Sequence, residues 1–220
     1  YSRHQLTAGL ARKHRVVLVS PAPAIREALA SPTSLFAPSR LEAEPAIGTH
    51  RYAHPGYLPT ILRLPKLQRA IEHRRAQSLL GRLGDPEGRR SVVYVWHPEH
   101  ADEVGPFAHL PIVYHAYDRY DLYTGSAGDD ALRRERWLAR HATFCVGASA
   151  MIVEHLKSLG AREVHLLRHG VDPGFFEPER AIPAALAALP RPRIGLVASL
   201  SDAIDYVALR EIARSRPNWS

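Results

Sequence analysis

The stretch ATFCVGASAMIVEHLKSLGAREVHLL, residues 142–167, contains two apolar runs joined by a helical pattern, and it predicts a β–α–β unit. Ser149 is of the residue type that caps a helix N-terminus, and Gly160 is a typical helix stop. The run from Phe144 to Val146 is apolar throughout, as expected for a strand that is covered on both faces. The stretch therefore predicts a parallel sheet with packed helices.

The same alternation of strand and helix recurs along the chain. Further strands are predicted in VVLVSP, SVVYVWHP and PIVYHAYD, and helical patterns occupy the opening residues, 58–83 (with a kink or restart at Pro65) and 129–141. Prolines punctuate residues 21–56, where only 24–30 favours a helix. The order predicts an α/β protein, with a Rossmann-like parallel sheet that carries helices on both faces.

The final residues repeat the pattern once and then stop. PRIGLVASLSDAIDYVALREIARSRPNWS, residues 192–220, predicts a buried strand over 193–199, capping residues at Ser199, Ser201 and Asp202, and a helix that ends near Ser215. We interpret it as the truncated start of a second Rossmann-like domain, after a first domain over 1–175 and a linker over 176–191. Half of such a unit cannot cover its sheet, and the chain opens directly in a helix. A piece of a longer protein, with a preceding first strand, is therefore expected.

Composition limits the classes of function. The net charge of +7 and the pI of about 9.8 come from arginine, since Lys13, Lys66 and Lys157 are the lysines. Cys145 is single, which argues against a disulfide framework or a cysteine metal site. No apolar run reaches the roughly 18 residues of a membrane span. A cytoplasmic protein is expected, and without a binding motif the charge alone does not indicate a nucleic-acid partner.

Polar residues that follow the predicted strands are the candidates for a site, because ligands of open parallel sheets lie beyond the carboxyl ends of the strands. The densest group is HAYDRYDLY, in which His115, Asp118 and Asp121 follow a buried strand. A histidine beside carboxylates can act as a base or a hydrogen-bond donor, although the group also fits an ordinary polar rim. His97 in WHPEH does not match a zinc spacing, and no metal is expected.

A second constellation is RHGVD, with His169, Gly170 and Asp172 at the end of the first domain. Gly170 would permit a positive φ and a close backbone approach. Glycine-rich dinucleotide and Walker motifs are missing, as is a serine nucleophile elbow, so the sequence does not support esterase or P-loop chemistry.

Four segments together resemble the GT-B fold nucleotide-sugar glycosyltransferases of the large retaining family that builds bacterial surface polysaccharides. These segments are HQLTAGLARKHRVVLVSP, PIVYHAYDRYDLY, ATFCVGASAMIVEHLKSLGAREVHLLRHGVDPGFF and PRIGLVASLSDAIDYVALREIARSRPNWS. The family usually has asparagine where His169 stands and glycine where Ala198 stands. The resemblance implies two facing Rossmann-like domains, the first binding a carbohydrate or lipid-linked acceptor and the second a nucleotide-sugar donor, with no metal or other cofactor.

The resemblance also implies roles for individual residues. His115 and Asp118 would be catalytic on the acceptor side. Substrate binding would fall to His97, Asp121, His169, Gly170 and Asp172, and Ser199 and Asp202 would lie at the donor phosphate. The motifs that grip most of the donor would lie beyond residue 220, so the fragment alone is expected to be inactive.

Other functions stay open. A sugar-nucleotide epimerase shares the two-domain architecture, and a catalytically silent binding protein also fits. The basic residues of the helical region 58–83 would suit docking to an anionic membrane at its inner face, or would be an ordinary solvated surface: Arg63, Lys66, Arg69, His73, Arg74 and Arg75.

Overall fold

The protein folds as two compact units, Tyr1–Val171 and Asp172–Ser220. The computed structural model describes residues 2–19, 40–45, 48–53, 65–122, 126–171, 173–175, 181–198 and 204–220. The predicted helix over 24–30 and the first part of the predicted helix over 58–83 lie outside these residues. Among the described helices, none combines the length and the hydrophobicity that crossing a bilayer would require.

A four-stranded parallel sheet forms the centre of the first unit. Its strands are β4 (Val93–Val95), β5 (Ile112–Ala116), β6 (Phe144–Gly147) and β7 (Val164–Leu166), which neighbour one another in that order. Every residue of β5 is buried, because strands pair with it on both sides and side chains cover both of its faces. The predicted α/β class with a parallel sheet flanked by helices is confirmed.

Two helices join these strands. Helix α4 (Ser126–His141) connects β5 to β6, and α5 (Ala150–Ser158) connects β6 to β7. The predicted caps of α5 are confirmed, since Ser149 Oγ accepts a hydrogen bond from Ile152 N at 3.3 Å and Gly160 has a φ of +98°. The apolar sides of the helices close over one face of the sheet in a core that includes Ile112, Tyr114, Ala116, Leu138, Cys145 and Leu156.

A separate three-stranded sheet is the main departure from the prediction of one continuous sheet. It consists of β1 (Val17–Val19), β2 (Arg40–Glu44) and β3 (Thr49–Ala53), in the order β1-β3-β2. The four consecutive apolar residues of VVLVSP predict a strand that is buried on both faces, and this prediction is wrong, because Val17 and Leu18 of β1 are only half-buried and Val19 is exposed. β1 pairs with β3 on one side and with no described strand on the other. The proline-punctuated segment also contains the antiparallel β2–β3 pair, which the sequence analysis missed.

Helices and short turns surround these two sheets. Helix α1 spans Ser2–Ala11 as predicted, and α2 spans Pro65–Arg82. Pro65 stands at the first position of α2, where its missing N–H costs nothing. Gly84 ends α2 with a φ of +73°. Between β4 and β5 lie a short helix α3 (Ala101–Val104) and 3-10 turns over Pro98–His100 and Gly105–Phe107, and a further 3-10 turn spans Tyr120–Leu122.

The second unit contains the short helix α6 (Ala184–Ala187) and the helix α7 (Tyr206–Ser215), after a 3-10 turn at Pro173–Phe175. The prediction of a buried strand over 193–199 is wrong, since the described residues 193–198 form no strand, and Val197 is fully exposed. Ile194 N instead donates to Ser220 O at 2.7 Å. Helix α7 ends where predicted, but Asp205 caps it, accepting from Ala208 N at 2.8 Å.

Candidate active site

His115 lies near the carboxyl end of the central strand β5, and only 3% of it is exposed. Its ring stacks on Tyr117, with centroids 4.1 Å apart and an interplanar angle of 25°. Tyr117 stacks in turn on His169 at 5.6 Å and 10°, and the edge of Tyr94 meets His115 at 6.0 Å. The structure therefore brings together two of the predicted site residues, His115 and His169, through a tyrosine that the sequence analysis did not single out.

Hydrogen bonding defines the protonation of His115. The Tyr94 hydroxyl bonds to His115 Nδ1. Burial, and next the neighbouring Tyr117, raise the pKa of Tyr94, so the phenol stays protonated and can donate. Nδ1 is then the acceptor, and the network assigns the ring proton to Nε2. Nε2 is buried and has no hydrogen-bond partner among the described residues.

Electrostatics keep this imidazole neutral. Burial, reinforced by the nearby His169, lowers the pKa of His115 from 6.5 to about 4. At neutral pH His115 therefore presents an uncharged Nε2–H donor to any group that reaches it. Of the two roles that the sequence left open, base or hydrogen-bond donor, this tautomer favours the donor.

Neither of the two carboxylates of HAYDRYDLY, those of Asp118 and Asp121, bonds to His115 in the described structure. Asp118 is exposed, and its carboxylate accepts from Arg119 N at 2.8 Å. Asp121 instead makes a two-pronged contact with Arg119, whose Nε and Nη2 donate at 2.8 and 2.7 Å, and that contact lowers the pKa of Asp121. No described hydrogen bond or ion pair links His115 with either carboxylate. Residues that are close together in the sequence therefore belong to two separate groups of contacts in the structure.

Asp121 belongs to a buried network that the sequence analysis missed. Glu135 of α4, with 0% of its side chain exposed, accepts from the Tyr114 hydroxyl at 2.8 Å and lies 3.0 Å from His155 Nε2. His155 Nε2 is also 3.6 Å from Asp121 Oδ1. Burial outweighs these contacts and raises the pKa of Glu135. A signal existed in the sequence, because Glu135 lies three residues from both Leu132 and Leu138, on the inward side of α4.

The ligand atoms of Asp121, Glu135 and His155 lie within 4.8 Å of one another, which is close enough to hold a metal ion. Arg119 and Tyr114 already bond to the two carboxylates, however. In this structure the positive charge beside Asp121 and Glu135 comes from Arg119.

Of the remaining predicted residues, the structure describes His97 and Gly170. His97 Nδ1 accepts from Glu99 N at 3.2 Å, capping a 3-10 turn, and its ring meets Tyr120 at 4.5 Å. Gly170 does not adopt the positive φ predicted for it; within the described residues, that conformation occurs at the glycines of positions 48, 84, 88 and 160. Asp172, Ser199 and Asp202 lie outside the described residues, so their roles stay predictions.

No protein-family model, curated protein or solved structure matches this chain.

Proposed function

We propose that the protein is a nucleotide-sugar glycosyltransferase of GT-B type, in which the first unit is the Rossmann-like domain that binds the acceptor. The observation that carries the proposal is His115, a buried, neutral imidazole near the carboxyl end of a central parallel strand, whose Nε2 has no hydrogen-bond partner within the described part of the chain. Ligands of open parallel sheets lie at this end of the strands. The resemblance of the surrounding sequence to glycosyltransferases supplies the reaction class.

The chemistry suits a polar, uncharged substrate group. A neutral Nε2–H can donate a hydrogen bond to a sugar hydroxyl and position it without adding a charge. Tyr117 and His169 add stacked rings beside this donor, and such flat surfaces suit the C–H face of a pyranose. The negative charge on the departing nucleoside diphosphate would be stabilised by a helix N-terminus and basic side chains, so the reaction needs no metal.

The same observations are compatible with a sugar-nucleotide epimerase or a binding protein without catalysis. An epimerase would change the stereochemistry of the sugar on its nucleotide and release no nucleoside diphosphate in exchange for a new glycosidic bond. A binding protein would hold the carbohydrate and change neither.

The test is release of nucleoside diphosphate from a panel of nucleotide sugars, with and without carbohydrate acceptors, by the protein as its gene encodes it. His115→Ala should lower kcat by about 10²-fold, because a positioned hydrogen-bonding group is lost. His97→Ala is the matched control and should cost less. Asp118→Asn is predicted from the sequence to act like His115→Ala, although Asp118 is exposed. Acceptor-independent activity, or equal kinetics for wild type and His115→Ala, would contradict the proposal.

Helix α2 supports a second part of the proposal, reversible docking to an anionic membrane that carries a lipid-linked acceptor. His73 and Arg74 are exposed, whereas Ala76, Leu79 and Leu80 are buried and cannot insert into a bilayer. Docking would then be electrostatic, at about 1 kcal/mol for each basic residue near the surface. Arg63, also predicted to take part, lies outside the described residues.

Vesicle co-sedimentation tests this docking. Binding should require anionic lipid, weaken as salt is added, and fall when Arg69, Arg74 and Arg75 are replaced by glutamine. Binding that is the same with neutral and anionic vesicles would remove the role and leave the arginines as surface charge.

A further inference from the structure

Tyr94 of β4 reaches the site histidine from the neighbouring strand. In the parallel register Tyr94 lies opposite Val113, and His115 is two residues further along β5, so the three side chains lie on the same face of the sheet. Tyr114 points to the other face, where its hydroxyl donates to Glu135 of α4. The Tyr94 hydroxyl therefore meets His115 Nδ1 on the face opposite that network.

The acceptor of the Tyr94 hydroxyl is a group with chemistry of its own. The Tyr120 hydroxyl, for comparison, donates to the backbone oxygen of Trp96 at 3.1 Å, which satisfies a buried phenol and has no further effect. Tyr94 instead bonds to an imidazole, whose two nitrogens can exchange the roles of donor and acceptor. The bond can therefore control what His115 offers to a ligand.

Stacking and hydrogen bonding fix different properties of the His115 ring. Tyr117 lies against one face of the ring at 4.1 Å, and the edge of Tyr94 meets it at 6.0 Å and 77°, so these contacts set the plane of the ring. Stacking alone does not distinguish the two orientations that a flip of the imidazole exchanges. The bond from Tyr94 to Nδ1 makes that distinction, and it places Nε2 on the side away from Tyr94.

We propose that Tyr94 is a positioning residue of the site, which holds His115 in the tautomer that carries its proton on Nε2 and thereby selects a ligand oxygen that accepts a hydrogen bond. A hydroxyl or carbonyl oxygen fits this donor, whereas an ammonium group, which only donates, does not. The identity of the ligand as a sugar rests on the proposed function, but the tautomer does not. Nε2 is buried and has no hydrogen-bond partner among the described residues, so its proton is free for such an oxygen.

The opposite direction of the same hydrogen bond would give the opposite chemistry. If Nδ1–H donated to the Tyr94 hydroxyl, Nε2 would carry a lone pair, and His115 would be suited to act as a base. The direction of the bond therefore separates a site that positions a hydroxyl from one that removes its proton.

Nitrogen-15 NMR of the histidine rings tests the tautomer without any ligand. At pH 7 the wild type should show a protonated Nε2 and an unprotonated Nδ1 in His115. In Tyr94→Phe the Nδ1–H tautomer should appear and the pKa of His115 should rise from about 4 towards 6.5, because a hydrogen bond that favours the neutral ring is lost while the neighbouring Tyr117 and His169 remain. Tyr114→Phe is the matched control, since it removes a hydroxyl from the other face of the same strand and should leave the His115 ring unchanged. A proton on Nδ1 in the wild type, or a Tyr94→Phe protein with the same tautomer and pKa, would overturn the proposal.

A double-mutant cycle on nucleoside diphosphate release gives a second readout. His115→Gln keeps an N–H donor near the position of Nε2, whereas His115→Asn places its amide near Nδ1, so the first variant should retain a kcat about tenfold higher than the second. Tyr94→Phe should lower kcat about fivefold in the wild type and have no further effect in His115→Gln, which has no tautomer to select. Equal losses in the two backgrounds would show that Tyr94 only supports the fold and would refute its positioning role. If no nucleotide sugar is turned over at all, the proposed function alone is contradicted, and the NMR result still decides the role of Tyr94.

Discussion

The pKa of His115 makes the stability of the protein depend on pH in a defined window. Because the neutral imidazole is favoured in the folded protein, its pKa is about 4 there and about 6.5 in the unfolded chain. Between these values the unfolded state binds one more proton than the folded state. The contribution of His115 to stability is therefore complete above pH 6.5 and is lost as the pH falls towards 4.

The size of the effect follows from linkage. One extra proton in the unfolded state changes the free energy of unfolding by about 1.4 kcal/mol per pH unit. Between pH 7.5 and pH 5.0 His115 should therefore remove about 2 kcal/mol of stability. His115→Gln eliminates this titration, so its free energy of unfolding should fall by about 2 kcal/mol less than that of the wild type over the same interval.

Urea denaturation at a series of pH values measures this difference. Val113→Ala is the matched control, since it weakens the same buried strand and keeps His115, and its pH dependence should follow the wild type. NMR titration of the His115 ring provides a direct check. Parallel curves for the wild type and His115→Gln, or a His115 ring that titrates near 6.5, would refute the reasoning about its burial.

Two further predictions concern stability. Glu135→Leu should lower the free energy of unfolding by about 3 kcal/mol or more, because it leaves the Tyr114 hydroxyl and His155 Nε2 without their shared partner. Tyr114→Phe should lower it by only about 1 kcal/mol. If urea denaturation showed that Glu135→Leu costs no more than Tyr114→Phe, the network would contribute little. Gly147→Ala should cost about 1 to 3 kcal/mol, since the added Cβ would lie 2.9 Å from Val153 N, while Gly81→Ala in α2 meets nothing within 4 Å and should be neutral or stabilising. Thermal melts of the two glycine variants would contradict this packing if Gly147→Ala were the more stable.

Local patterns predicted the part of the fold that depends on local interactions. The apolar run of β6, the cap at Ser149 and the stop at Gly160 each act through neighbouring residues, so β6 and α5 follow from the sequence. The strand predicted over 193–199 failed for the opposite reason. A strand needs a neighbouring strand with which its backbone can form hydrogen bonds, and an apolar run does not reveal whether such a neighbour is present.

The site divides in the same way. The position of His115 near the carboxyl end of a buried strand could be predicted from the sequence, because strand and loop residues alternate visibly in composition. The sequence alone did not show that Tyr94 would bond to His115 from the adjacent strand, or that Asp121 would bond to Arg119 and lie beside His155. These contacts join residues that are brought together by the packing of the folded chain. Within a short loop, the local sequence does not decide which neighbour a side chain contacts. The sequence therefore determined which chemical groups lie at the end of the sheet, whereas only the tertiary structure decided which of them meet, since direction, burial and pKa depend on neighbours that are distant along the chain.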